Sequence, residues 1–292
     1  VILEALAEHP NVEILWKTDL TGMKQDDDGV TLQLESPDAG VSELRVDWLI
    51  GTDGARSTVR KLAGLEFEGF TWDQQIIATN IRIDLESYGY ARSLLLADDR
   101  YGAVVAMIDN EKLWRCAFSA PASAPSESVL QGIAETLPRI LPEVADGYEL
   151  EHHSVYRVHQ RAASEFRKGR VLLAGDAAHA TNPAGGFGLT TGFMDIFVLY
   201  EALAAVIKGS AAQDVLDGYA HERRKVFLDH TSPQATRLMK LIFAGEGLEE
   251  GMERFRLIAS DETARLRYSA FAANLETPSL ITGKRLNMPI TA

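Results

Sequence analysis

The chain has 292 residues, 46% of them hydrophobic and 24% charged, an ordinary globular composition that excludes a disordered or fibrous protein. Its 29 Lys and Arg stand against 42 Asp and Glu, a net charge of −13 with no run of basic residues, so neither a nucleic-acid partner nor an anionic membrane surface is expected. The one cysteine, Cys116, excludes an intrachain disulfide and a thiolate metal cage and suits a reducing, cytoplasmic setting.

The chain starts at Val1 inside a helical pattern, with Ile2, Ala5 and Leu6 ahead of the stop His9-Pro10-Asn11. A truncated or processed chain is expected from this. No apolar run approaches the length of a membrane span, and no signal peptide opens the chain. Val12–Trp16 reads as a short strand, Asp26–Gly29 as a turn, and Val30, Leu32 and Leu34 alternate with polar residues as in a half-buried strand. Leu44, Val46 and Trp48 continue the alternation. Leu49-Ile50 reads as apolar on both faces, entering a core. Ser57 is placed to cap a short helix that Gly64 stops.

From Gln74 to Ala120 the pattern is an antiparallel meander, with turns at Asp98-Asp99 and Asp109–Lys112. Pro121–Ser128 reads as a loop and Leu130–Leu137 as a helix. Tyr156–Gln160 reads as a returning strand, and Val171–Ala174 as a fully buried one. Thr191–Lys208 reads as a helix with Phe193, Ile196, Phe197, Tyr200, Leu203 and Ile207 at helical spacing. The remainder, from Val215, is mostly helical. Cys116 reads as a buried small hydrophobe.

Two segments carry chemistry. The first is GRVLLAGDAAHATNPAGGFGLTTG, Gly169–Gly192. A buried strand delivers Gly175-Asp176 at its C-terminal end, where open α/β sheets bind ligands. A carboxylate there can accept two hydroxyl hydrogen bonds, as a ribose or ribityl chain offers. Pro183, Gly185, Gly186 and Gly188 then form a loop nearly free of side chains that feeds a helix N-terminus at Thr191, and bare amides there favour an anion or a polarised carbonyl. The competing explanation is that the glycines only permit close strand–helix packing. The second segment is LIGTDGARSTVRKLAG, Leu49–Gly64. Gly54 allows a phosphate to approach backbone, and Arg56 and Arg60 are placed to neutralise it. Asp53 serves equally as a local cap of a strand–turn–helix junction.

Together these segments resemble the two FAD motifs of the FAD-dependent aromatic monooxygenases, the class A flavoprotein hydroxylases similar to para-hydroxybenzoate hydroxylase. The resemblance runs from about Val12 to Arg224. It implies a mixed α/β fold: an FAD-binding domain from residues 1–66 and 151–230, a substrate domain at 67–150 built on the meander, and a C-terminal helical region at 231–292. It implies that Asp176, beside Gly175, binds a ribose or ribityl hydroxyl. Gly185, Gly186, Phe187, Gly188, Leu189 and Thr190 would line the isoalloxazine through backbone, and Pro183 would sit at the flavin face beside substrate. Asp53, Gly54, Arg56 and Arg60 would lie at the FAD pyrophosphate. Tyr90 and Arg92, ahead of a meander strand, are candidates for the substrate wall, with a plain surface role as the favoured alternative. The implied activity is hydroxylation of an aromatic, phenolic molecule using O2, with NAD(P)H reducing the flavin.

One departure matters. The family opens with a βαβ unit carrying a G-x-G-x-x-G fingerprint, and residues 1–292 contain none. The stretch therefore resembles the C-terminal two-thirds of such an enzyme, and a separate N-terminal segment or second chain is an expected partner. An epoxidase or halogenase of the same superfamily, and a non-catalytic subunit, are the alternatives. His152, His153, His159 and His179 lack metal-ligand spacing, so no metal site is expected, and His179 reads as a packed histidine near the loop.

Overall fold

A computed structural model describes residues 1–124 and 128–285. Residues 125–127 of the expected Pro121–Ser128 loop and 286–292 of the expected helical region lie outside the described residues. The chain begins with α1 (Ile2–Ala7). The expected strand at Val12–Trp16 is instead an unpaired segment whose Val12, Ile14, Leu15 and Trp16 are all exposed; its apolar residues find no neighbouring strand. The ladder starts later, with β1 (Asp19–Gln25), β2 (Val30–Ser36) and β3 (Gly40–Val46) in one antiparallel sheet. Asp26 closes the β1–β2 turn, accepting the amides of Asp28 and Gly29 and, at 2.6 Å, the Arg45 guanidinium.

Trp48 does not continue β3. It lies between sheets, beneath Arg170 at 5.0 Å, and β4 (Leu49–Gly51) begins a second sheet. Ser57 caps α2 (Thr58–Leu62) by accepting the Arg60 amide. Next come β5 (Phe67–Arg82), β6 (Ser93–Leu96), β7 (Ala103–Met107), β8 (Leu113–Pro121), α3 (Val129–Ile140) and β9 (Glu149–Ala163). Then follow β10 (Arg167–Lys168), β11 (Val171–Leu173), β12 (His179–Ala180), α4 (Phe187–Ile207) and α5 (Asp214–Val226). A π-helical turn, Phe227–Thr231, joins α5 to α6 (Ser232–Ala244), and α7 (Leu248–Ser260), α8 (Glu262–Ser269) and a 3-10 helix, Ala270–Leu275, follow.

The architecture is mixed α/β. β10, β11 and β4 form a small sheet in which β11 and β4 run parallel, Leu173 opposite Gly51. Among the described residues the outer edge of β4 has no strand partner, and Ile50 is exposed rather than buried on both faces. The six-stranded antiparallel sheet has the order β12-β9-β5-β8-β7-β6. The meander is thus widened by β9, which runs past the expected boundary at 150. Side chains alternate across β5. Ile77 and Ile81 pack with Ile133 and Leu137 of α3, while Ile76 and Ala78 pack with Leu238, Met239 and Ile242 of α6 and with Ala184.

Helix α4 carries two apolar faces. Val198, Leu199 and Ala202 are buried in one cluster with Leu172–Ala174. The periodic stripe Phe193, Ile196, Phe197, Tyr200 and Ile207 faces outward, Tyr200 at 73% exposure. Contrary to expectation, this helix is long and apolar enough to cross a membrane by length and composition; the small residues between its large apolar ones sustain one run of 21 residues. Its inner face is part of the protein core.

Candidate functional site

The two sequence motifs leave adjacent parallel strands at one sheet edge. Ala174 donates its amide to the Gly51 carbonyl at 3.0 Å, so the Asp53 and Asp176 turns emerge side by side. After β4, the Asp53 carboxylate is engaged by α2. It accepts the Ser57 hydroxyl and, at 2.6 and 3.1 Å, the amides of Thr58 and Val59. Arg60 is buried, donating to the carbonyls of Ala177 (2.7 Å) and Ala55 (2.8 Å) with its guanidinium 3.7 Å from the Phe67 ring. Arg60 therefore staples one turn to the other. Arg56 is exposed with no ion pair among the described residues, and beyond Gly54 a Cβ would meet nothing within 4 Å.

After β11, Gly175 takes φ +59, which an L side chain rarely adopts. Asp176 is exposed, and its carboxylate has no hydrogen bond or ion pair among the described residues. Asn182 begins the glycine loop, its side chain accepting the Ala184 amide at 3.1 Å. Gln160 of β9 holds this loop from below: its Oε1 accepts the Asn182 amide and side chain, and its Nε2 donates to Thr181 at 3.0 Å. Gly186, at φ +66, starts α4 at Phe187, four residues ahead of the expected Thr191. Among the described residues no side chain caps the helix, so the first-turn amides of Phe187, Gly188 and Leu189 lack a capping partner there.

The glycines divide between the two explanations open at the sequence level. At Gly175 and Gly186 a Cβ would enter open space, and at Gly188 it would meet only the Thr181 methyl at 3.6 Å. At Gly185 it would strike the Phe187 ring, and at Gly192 it would sit 3.3 Å from Gly175 Cα. The first three make a bare surface; the last two permit packing. An uncapped helix N-terminus, a free carboxylate and this bare surface make a donor and acceptor set that fits FAD.

The wall candidates lie elsewhere. Tyr90 packs in the α3-side cluster and donates to Glu143 at 3.0 Å, and Arg92 pairs with Glu86 at 2.9 Å. Neither is brought to Pro183. The sheet face that adjoins the loop instead presents Asn80, Arg115 and Tyr156, which share the face of Ile76 by register. Arg115 donates to Asn80 at 3.1 Å. Burial pushes the Tyr156 hydroxyl pKa up, and Arg115 draws it partly back.

Sequence reasoning missed a buried cluster under the site. Asp195 of α4 accepts the Gly175 amide, His179 Nε2 and Arg223 Nε, and all three side chains have zero exposure. Burial alone would raise the Asp195 pKa, but His179 and Arg223 outweigh it and hold the carboxyl below its ordinary value. The available signal was a lone charge in the otherwise apolar run Phe187–Tyr200, because a buried charge demands a partner.

The FAD binding domain family matches residues 1–231. Para-nitrophenol 4-monooxygenase of Pseudomonas sp. (strain WBC-3) is 49% identical over 81% of this chain and 59% of its own length. 6-Hydroxy-3-succinoylpyridine 3-monooxygenase HspB of Pseudomonas putida (strain DSM 28022 / S16) is 36% identical over 95% of this chain and 71% of its own. The crystal structure of p-nitrophenol 4-monooxygenase PnpA from Pseudomonas putida DLL-E4 superposes with a TM-score of 0.86 at 41% identity, covering 94% of this chain and 70% of that one. The chain thus spans about three-fifths of the first relative's length. With the family model matching residues 1–231 and these relatives alongside it, this chain belongs to the FAD binding domain family, alongside class A flavoprotein hydroxylases.

Proposed function

We propose that residues 1–292 form the flavin-loop and substrate-binding portion of an FAD-dependent, NAD(P)H-consuming monooxygenase that hydroxylates a phenolic ring. The nitrophenols named for its relatives are the first substrate class to test. The observation that carries this reading is the juxtaposition, at one sheet edge, of a free Asp176 carboxylate and the uncapped start of α4. Bound FAD would supply the two-electron chemistry that activates O2. In this reading Asp176 accepts hydroxyls of the ribose or ribityl chain. The amides around Gly186–Thr190 hold the polar edge of the isoalloxazine and stabilise negative charge there. Gly54 and Arg56 approach the pyrophosphate, and Arg60 keeps the two turns together. Pro183 borders the ring to be hydroxylated, with Arg115 and Tyr156 on the facing sheet. The apolar packing of α6 on Ile76, Ala78 and Val158 keeps water from that side. The reading keeps the domain division expected above, with the substrate-domain sheet carried past residue 150 by β9, and takes the cytoplasm, with its NAD(P)H, as the setting.

The test is titration with FAD, followed by 4-nitrophenol, NADH or NADPH, and O2. The expected result is quenching of flavin fluorescence and NAD(P)H oxidation coupled to a ring-hydroxylated product. Absence of both a spectral change and a thermal shift with FAD refutes the reading for these residues. Product analysis with an alkene and with halide separates the epoxidase and halogenase alternatives.

A second reading has its own observation: the edge of β4 that is unpaired among the described residues, the outward stripe of α4 and the exposed Val12–Trp16 segment. We infer that a dinucleotide-binding βαβ segment, in the same polypeptide or a second chain, covers these surfaces. Co-expression with such a segment then raises FAD retention; equal retention without it counts against the inference.

A further inference from the structure

The Asp195 cluster extends well beyond the strand-end turn. Asp195 Oδ2 accepts the Gly175 amide at 2.9 Å and His179 Nε2 at 2.7 Å, and Oδ1 accepts Arg223 Nε at 2.8 Å. A carboxylate only accepts, so His179 Nε2 carries a proton. The imidazole stacks on Phe227 at 4.7 Å, and its buried Nδ1 has no partner among the described residues. Asp195 is therefore the polar anchor of that ring. Arg223 in turn donates from one terminal nitrogen to the Leu275 carbonyl (2.7 Å) and the Thr277 hydroxyl (3.1 Å), and from the other to the Thr191 carbonyl (3.2 Å).

These bonds form one continuous path. It starts at the amide of Gly175, the residue before Asp176, passes through α4 and α5, and ends on the segment Leu275–Thr277. Thr191, in the first turns of α4, is tied into the same guanidinium. We propose that Asp195 is a positioning residue for the Gly175-Asp176 turn, and that Asp195 with Arg223 couples that turn to the Leu275–Thr277 segment, so that ordering either one favours the other. The inference rests on the FAD reading only for the identity of the ligand that orders the turn. The coupling itself stands on the hydrogen bonds.

The geometry argues for positioning beyond simple stabilisation. A buried ion pair is a poor source of net stability, because apolar residues of equal volume often replace it at no loss. What apolar residues cannot reproduce is the acceptor for the Gly175 amide or the donors to Leu275 and Thr191. Each of these fixes a backbone direction: the first aims Asp176, and the last orients the start of α4. The coupling is reciprocal by linkage. A ligand that orders the Asp176 turn also tightens the C-terminal segment.

The remote end gives the decisive variant. Thr277 is buried, at 5% exposure, and its hydroxyl bonds to Arg223, outside the site. Hydrogen exchange read by mass spectrometry on peptides spanning 175–178 and 270–277, with and without FAD, is compared for the wild type, Thr277→Val, Thr277→Ser and Asp195→Asn. Thr277→Val is expected to speed exchange at 175–178 and to weaken FAD binding, read by fluorescence quenching, by about fivefold or more. Thr277→Ser, which keeps the hydroxyl, restores both. Asp195→Asn loosens both peptides, and FAD slows exchange at 270–277 in the wild type. Thr277→Val that speeds exchange only at 270–277, with 175–178 and FAD affinity unchanged, overturns the proposal. If the wild type does not take up FAD, the functional reading fails, while exchange in the ligand-free protein still decides the coupling.

Discussion

Replacing Arg223 by Met keeps most of the side-chain volume but removes four hydrogen bonds at a position with zero exposure. Breaking a buried pair by removing one partner costs about 3–5 kcal/mol, because the other charge is left uncompensated. Asp195 keeps the Gly175 amide and His179, which lowers the cost, whereas the orphaned carbonyls of Leu275 and Thr191 raise it by about 1 kcal/mol each. A loss of about 4 kcal/mol follows, or roughly 8–16 °C in Tm for a chain of this size. The pH dependence has a defined sign. In the wild type the Asp195 carboxyl sits below its ordinary value, so its contribution is complete above about pH 4 and is lost as pH falls through the lowered value. Without Arg223, burial pushes the carboxyl up, and the variant gains stability relative to the wild type on acidification. Urea unfolding followed by tryptophan fluorescence at pH 7 and pH 4 reads both effects. A loss below about 1 kcal/mol at pH 7, or a gap that widens in acid, refutes the reasoning.

Asp176→Ala removes an exposed, unpartnered carboxylate, so unfolding stability stays within about 0.5 kcal/mol while FAD affinity, read by fluorescence quenching, falls about tenfold or more. The Arg45 guanidinium, the Asp28 amide and the Gly29 amide hold Asp26 at about 2; NMR titration finds that value, and Arg45→Ala returns it toward 3.8. Burial pushes the Cys116 thiol to about 12, so a thiol reagent at pH 8 leaves it unmodified until urea unfolds the chain. Phe193→Glu with Phe197→Glu, at positions 53% and 52% exposed, leaves the circular dichroism of this chain unchanged but abolishes its association with a βαβ segment in pull-down.

The Gly175-Asp176 turn could be read in advance because Gly-Asp after an apolar run has few structural uses, and Ser57 was readable as a cap because it stands ahead of Val59 and Leu62 with Gly64 to stop the helix. The start of α4 was misplaced by four residues for a physical reason. Gly188 and Gly192 argue against helix by propensity, yet Gly192 is needed where the helix approaches Gly175. Val12–Trp16 has apolar strand character without a strand to pair with, and pairing is a tertiary property. Alternation along β5 separates two faces but does not say which one meets the glycine loop. Tyr90 and Arg92, offered as wall candidates beside a plain surface role, lie on the α3 side and pair with Glu143 and Glu86, whereas Arg115 and Tyr156, on the face shared with Ile76, carried no mark in the sequence. Asp195 was overlooked because its cation, Arg223, lies 28 residues further on, in a different helix.

The widened turn at Phe227–Thr231 has a consequence for helix phase. Each residue of an α-helix advances the side chain by about 100°, and a π turn absorbs one residue that the regular spiral has no place for. Here that slack lets Arg223 point into the Asp195 cluster while Leu238, Met239 and Ile242 still land on the large sheet, with Phe227 against His179 and Thr231 against Thr191. Shortening the turn by one residue would rotate all of α6 relative to α5, so either the ionic cluster or the sheet contact would be lost. The stretch is thus an indel-intolerant spacer: its side chains can vary more freely than its length.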